Sequence, residues 1–215
     1  MLPSNLPGAI AMKKEQPIVR IKRQAQAMIP TPWGNFILVA YSLDQEDWMP
    51  HLALVHEHFD PSQPVLTRIH SECITGDLFG SKRCDCGEQL HQALELTARE
   101  GGLVLYLRQE GRGIGIINKL KAYNLQDLGL NTVDANIHLG LEVDARQYDI
   151  AVEMLKELNV QRINLLTNNP DKIEVFEHSG IEVVARVPLV ITPREENRNY
   201  LETKQRELGH LFDLL

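Results

Sequence analysis

Short apolar runs separated by turn-forming residues open the chain, and from Cys86 onward the apolar positions switch to helical spacing. The early runs, Ile18–Lys22, Asn35–Ser42, His51–Glu57 and Val65–His70, predict strands, divided by Pro30-Thr31-Pro32-Trp33-Gly34 and Asp60-Pro61-Ser62. Leu90, Ala93, Leu94 and Ala98 then recur at helical intervals up to Glu100, and Gly101-Gly102 ends that helix. A buried-looking strand, Leu103–Leu107, runs into Arg108-Gln109-Glu110-Gly111-Arg112-Gly113-Ile114-Gly115 and a helix from Ile116 to Leu128, stopped by Gly129. Strand, glycine loop and helix in that order suit a phosphate cradle.

The back half keeps alternating. A helix is expected over Arg146–Leu158, with Asp144 as a plausible N-cap, then a strand at Arg162–Thr167. Asn169-Pro170 reads as an N-cap and N1 pair for a helix reaching Ser179, with Gly180 at its C′ position. Ile181–Leu189 predicts a strand and Asn199–Leu208 a closing helix. The expected fold is α/β (α+β), a β-rich N-terminal part followed by alternating helices and strands. Residues 1–16 read as a flexible tail and 17–215 as one domain.

A length of 215 residues with 43% hydrophobic content can bury a full core without disulfides. The net charge of −7 excludes a broad basic face, hence any general affinity for nucleic acid polymers or anionic membranes, so an anion site must be local. The lysines at positions 13 and 14 follow the first apolar run, the wrong order for a secretory signal, and no run is long enough to span a membrane. A soluble, cytoplasmic protein is expected.

All the cysteines, Cys73, Cys84 and Cys86, lie in one short stretch. Three thiolates suit a soft divalent ion such as Zn²⁺, and three protein ligands leave a fourth position open for chemistry. Two other readings fit the same residues: a disulfide with a spare thiol, or a closed structural zinc completed by His70 or His91. Arg68, Arg108, Arg112, Lys119, Lys121, Arg146 and Lys172 sit near the candidate loops of an acidic chain and suggest a polyanionic ligand. Glu72, Gln89 and Glu110 could read a base, since a carboxylate accepts both the ring N–H and the exocyclic amine of guanine. Thr167 could add a hydroxyl donor, and Tyr123 by itself is an ordinary half-buried aromatic.

Five ordered motifs together make the chain resemble GTP cyclohydrolase II, from about Ala27 to Phe212. They are Arg68-Ile69-His70-Ser71-Glu72-Cys73, Arg83-Cys84-Asp85-Cys86-Gly87, the Arg108–Gly115 loop, Leu166-Thr167-Asn168-Asn169-Pro170 and Arg186-Val187-Pro188-Leu189. The resemblance implies one catalytic zinc per subunit on Cys73, Cys84 and Cys86 and a homodimer. It implies hydrolysis of GTP to formate, pyrophosphate and a diamino-hydroxy-(phosphoribosylamino)pyrimidine, the first step of riboflavin biosynthesis. It also implies Arg146 as nucleophile toward the α-phosphorus, Asp144 as proton acceptor and Tyr123 as a catalytic group on the zinc side. GTP is placed against Arg68, Ile69, His70, Ser71, Glu72, Gln89, Glu110, Gly111, Arg112, Thr132, Thr167 and Lys172, with Mg²⁺ on the triphosphate. Lys82 and Asn124 depart from the family pattern, and neither is an implied ligand. Many relatives carry a second enzyme domain upstream, which the short stretch before the matched region is too small to encode, so the single-function form is expected. Rival readings are a cyclohydrolase that stops at a formamidopyrimidine and a non-catalytic GTP-binding protein with structural zinc.

Overall fold

The computed structural model describes residues 21–194 and, beyond them, Asn197, Gln205, Arg206, Gly209 and Leu211. The N-terminal tail and almost all of the expected closing helix lie outside the described residues, although Gln205 and Arg206 are helical. No described helix is long and apolar enough to cross a membrane.

The first strands make an antiparallel meander, β1 (Lys22–Thr31), β2 (Gly34–Ser42) and β3 (His51–His56). The turn expected around Pro32-Trp33 joins β1 and β2, but β1 occupies residues that the expected Ile18–Lys22 strand left out. Its residues are mostly exposed and lack the alternation that marks a half-buried strand. β4 (Val65–Ser71) leads through α1 (Ile74–Asp77) and α2 (Cys86–Glu100) to β5 (Leu103–Leu107). Gly101 closes α2 in the left-handed conformation (φ 69°) expected of a C-terminal glycine.

A 3-10 turn at Glu110–Gly113 precedes α3 (Gly115–Asp127), and α4 (Thr132–His138) follows. Then come α5 (Asp149–Glu157), β6 (Arg162–Leu166), α6 (Asp171–Glu174) and β7 (Glu182–Val187). The seven strands of the described residues join one mixed sheet in the order β1-β2-β3-β5-β4-β6-β7. β5 inserts between β3 and β4, pairing antiparallel with the meander and parallel with β4, so it joins the two halves of the chain.

The two-residue period of β5 sends Leu103, Leu105 and Leu107 into a core shared with Ala151, Met154 and Leu155 of α5. Val104 points the other way, into a second core with Ala93 and Leu94 of α2. A helix thus covers each face, and the loops at the strands' C-terminal ends gather on one rim, where open α/β sheets bind ligands.

Two expected helices change their bounds and one unexpected helix appears. α5 begins at Asp149, with Tyr148 as its N-cap residue, so Asp144 caps no helix and Arg146 lies on an irregular segment. Asp144 spends its carboxylate on the Arg146 backbone N–H and guanidinium instead. α6 is a single turn rather than a helix to Ser179, because turns take over from Val175. α4 was not expected: its run is short, and its N-cap, Asn131 accepting from the Asp134 N–H at 2.8 Å, is the signal that could have revealed it.

Candidate functional site

β4 sends Arg68 and His70 to the α2 side of the sheet while Val65 and Ile69 enter the opposite core. The Arg68 guanidinium, 6% exposed, donates to the Leu166 carbonyl at 3.0 Å and to Gln89 Oε1 at 2.6 Å. His70 Nε2 lies 3.0 Å from the Asp77 carboxylate, which also accepts from the Tyr106 hydroxyl at 2.9 Å and the Cys73 backbone N–H at 2.9 Å. Burial pushes the His70 pKa down despite Asp77, so the imidazole is neutral, with the Nε2 proton assigned from its bond to Asp77.

Cys73 follows β4, and its carbonyl accepts from the Gly76 and Asp77 N–H groups at 2.9 and 2.7 Å. Cys84 and Cys86 sit where α2 begins. Two glycines let these segments touch: a Cβ on Gly76 would lie 2.8 Å from Cys84 Sγ, and one on Gly87 only 2.3 Å from the Gly76 carbonyl oxygen. Gly87→Ala must therefore push α1 from α2, and thermal unfolding should show a loss of about 1–3 kcal/mol, as for an overpacked core.

The three cysteine sulfurs lie within 4.8 Å of one another, with Cys73 and Cys84 Sγ 3.7 Å apart. An ion with bonds of about 2.3 Å at tetrahedral angles holds its sulfurs ~3.8 Å apart, so the donors fit zinc in type and spacing. Their proton balance fits too. Hydrogen bonds from the other two sulfurs and the Lys119 ammonium hold Cys73 well below the usual thiol range. The bond to Cys73 pushes Cys84 up to about 11, and Cys86 rises for the same reason. Without a cation the cluster accepts one negative charge readily, and a divalent ion is what would permit three. His70 is committed to Asp77 and His91 packs on Trp33 at 5.3 Å between ring centroids, so among the described residues no imidazole joins the sulfurs.

The glycine loop folds tightly because Gly111 (φ 62°) and Arg112 (φ 61°) are both left-handed, at a cost of about 1–2 kcal/mol for the arginine. Gly113 then approaches Ala145, where a Cβ would meet its backbone at 3.1 Å, and the Arg112 carbonyl accepts the Ala145 N–H at 3.0 Å. The Gln109 side chain completes the junction with both polar groups of the Gln147 backbone, at 2.7 and 3.0 Å. The loop thereby fixes the segment that carries Asp144 and Arg146.

Asp144 grips the Nε and Nη2 edge of the Arg146 guanidinium, with Nε at 2.8 Å from Oδ1. Burial opposes its ionisation, but the bonds from Arg146 prevail and hold the Asp144 pKa below the usual carboxylate range. Tyr148 lies beneath both Arg146 and Lys172, at 5.6 and 5.3 Å from its ring centroid. Lys172, on the single turn of α6, is buried and donates to the Ile69 carbonyl at 2.8 Å. The Tyr123 ring faces the Arg83 guanidinium at 4.8 Å, and burial raises its pKa.

One cavity connects these groups. Arg68, His70, Ser71, Glu72, Gln89, Glu110, Gly111, Arg112, Tyr123, Thr132, Arg146, Thr167 and Lys172 line it together with the three cysteines. Ile69 and Asp144 do not: Ile69 enters the core, and Asp144 stands behind Arg146. Arg108 turns away to Glu72 at 2.8 Å, and Lys121 is exposed. Glu110 accepts from the Ile74 N–H, the Gly111 N–H and Lys119 Nζ, at 2.6, 2.7 and 2.8 Å, which uses three of its roughly four lone-pair positions. Sequence reasoning missed Asp77 and Tyr106. The spacing of Asp77 from Cys73, one helical turn, was a signal that could have found it.

A family model described as GTP cyclohydrolase II matches residues 22–188. The curated riboflavin biosynthesis protein RibBA of Bacillus cereus is 51% identical over 195 residues, covering 90% of this chain and 49% of that protein. RibBA of Bacillus mycoides (strain KBAB4) gives the same figures, 51% over 195 residues with 90% and 49% covered. The chain thus spans about half the length of the curated relatives it matches. A crystal structure of RibBX, a two domain 3,4-dihydroxy-2-butanone 4-phosphate synthase from A. baumannii, covers 81% of this chain and 42% of its own at 17% identity. Its TM-score of 0.42 is too low to carry an argument.

Proposed function

The chain belongs to the GTP cyclohydrolase II family, and from that premise we propose that it hydrolyses GTP, opening the imidazole ring of guanine and releasing formate and pyrophosphate for riboflavin biosynthesis. The observation that carries this reading is a single cavity with a cysteine triad at one end and Arg68, Arg146 and Lys172 around the rest. We assign residues 17–215 to one catalytic domain, and homodimer formation and a cytoplasmic location belong to the same proposal.

Zinc held by Cys73, Cys84 and Cys86 would supply the Lewis acid and the hydroxide that attack on C8 requires at neutral pH. The protein's own groups do the rest. Tyr123, on the sulfur side of the cavity, hydrogen-bonds to the oxygen that develops charge. Glu72 is the better base reader of the two glutamates, because Arg108 takes one position on Oε1 and leaves the others, whereas Glu110 is nearly saturated. Burial raises the Glu72 pKa, so an N–H donor from a base gains more there than at an exposed carboxylate.

At the phosphate end, Arg146 attacks the α-phosphorus. An N–P bond forms as the bond to pyrophosphate breaks, Asp144 takes the guanidinium proton, and water later cleaves the N–P bond. Lys172 offsets part of the leaving group's charge, and Mg²⁺ on the triphosphate would offset the rest.

The test is incubation of the purified protein with GTP and Mg²⁺ and identification of every product by mass. Formate, pyrophosphate and the ring-opened monophosphate are expected in equal amounts, with ITP, which lacks the exocyclic amine, turned over less efficiently. A retained formyl group or triphosphate would favour the partial cyclohydrolase, and no turnover would favour the binding protein.

A further inference from the structure

Lys119 lies on α3, 8% exposed, with its Nζ 3.0 Å from Cys73 Sγ and 2.8 Å from Glu110 Oε1. These two side-chain acceptors satisfy the ammonium where little water can reach it. The chain is shaped to admit it. A Cβ on Gly111 would come within 3.2 Å of Lys119 Cβ, and the left-handed turn brings the loop that close. Glu110 holds the ammonium in place, and its remaining bonds, from the Ile74 and Gly111 backbones, tie that anchor to the residue after Cys73.

Three thiolates carry more charge than a divalent ion brings, and as strong donors they blunt its Lewis acidity. A hydrogen bond to a ligand sulfur draws electron density from the metal and reverses part of that effect. We propose that Lys119 is a positioning residue that, through its bond to Cys73 Sγ, tunes the trithiolate metal centre for attack on the purine ring, rather than binding the nucleotide. The proposal rests on the reading of Cys73, Cys84 and Cys86 as zinc ligands.

Lys119→Met removes the charge and keeps most of the stem. Zinc bound per chain should stay as in the wild type, GTP KM should hold, and kcat for formate release should fall about 10–100-fold, the usual scale for losing a partner of a metal ligand. In Co²⁺-substituted protein the sulfur-to-metal charge-transfer band should move to longer wavelength. Lys119→Arg, which keeps a cationic donor, should recover part of both. Lys119→Gln supplies the same readings should methionine unfold the site. An unmoved band, a loss confined to KM, or loss of zinc would each overturn the role. A wild type that binds no stoichiometric zinc or releases no formate would instead sink the parent reading.

Discussion

Cys84→Ser should purify with little or no zinc and release formate at the background rate. A serine hydroxyl keeps its proton at neutral pH and offers a hard oxygen in place of a soft thiolate, so the ion loses one of only three protein anchors. Among the described residues no side chain offers a substitute. Cys84 is 5% exposed, the Gly76 backbone lies against its sulfur, and neither His70 nor His91 is turned toward the vacated corner. With about 10–16 kcal/mol at stake in a thiolate zinc site, the loss of one ligand should lower affinity by several orders of magnitude. Calorimetry should still detect GTP, because Arg68 on β4, Glu72 just after it and Lys172 on α6 reach the cavity with hydrogen bonds that bypass the sulfurs. A zinc-free variant that still released formate would remove the metal from the chemistry altogether.

The clustering of the cysteines was legible in the sequence because it is local. Cys73, Cys84 and Cys86 are close along the chain, α2 has a clear helical period, and Gly101 stops it. The β5-to-α3 glycine loop was legible for the same reason. What escaped was non-local. The insertion of β5 between β3 and β4 depends on pairing between distant segments, and it turns two regions that read as separate into one sheet. Asp77 drew no notice as an isolated aspartate, yet folding brings it His70, Tyr106 and the Cys73 N–H at once. Arg108 shows the converse error: proximity to glycines suggested a phosphate ligand, but strand geometry turns it to Glu72. Asp144 had a helix-cap signature, and its partner is instead the guanidinium beside it, because Gly113 and Gln109 pin that segment before the helix can start.

That pairing makes the second large effect specific. Arg146→Ala should reduce pyrophosphate release more than about 1,000-fold, beyond the 100- to 1,000-fold typical of losing one electrostatic donor. A guanidinium has a pKa above 12 and is no nucleophile while charged, so attack on phosphorus requires a proton acceptor in contact as the N–P bond forms. Asp144 is in contact at Nε and Nη2, which leaves Nη1 outside its grip. Its depressed pKa means that it cannot take the proton in advance, only as bond formation drains the arginine's charge. Asp144→Asn therefore separates two roles that Arg146→Ala leaves mixed. If Arg146 only steadies phosphate charge, removing the carboxylate frees that charge and pyrophosphate release holds or rises. If Arg146 attacks, the amide cannot accept the proton and release falls by about 100-fold or more, the scale of a lost general base. Both variants keep the cysteines, so zinc content should match the wild type. Wild-type pyrophosphate release by either one ends the covalent route.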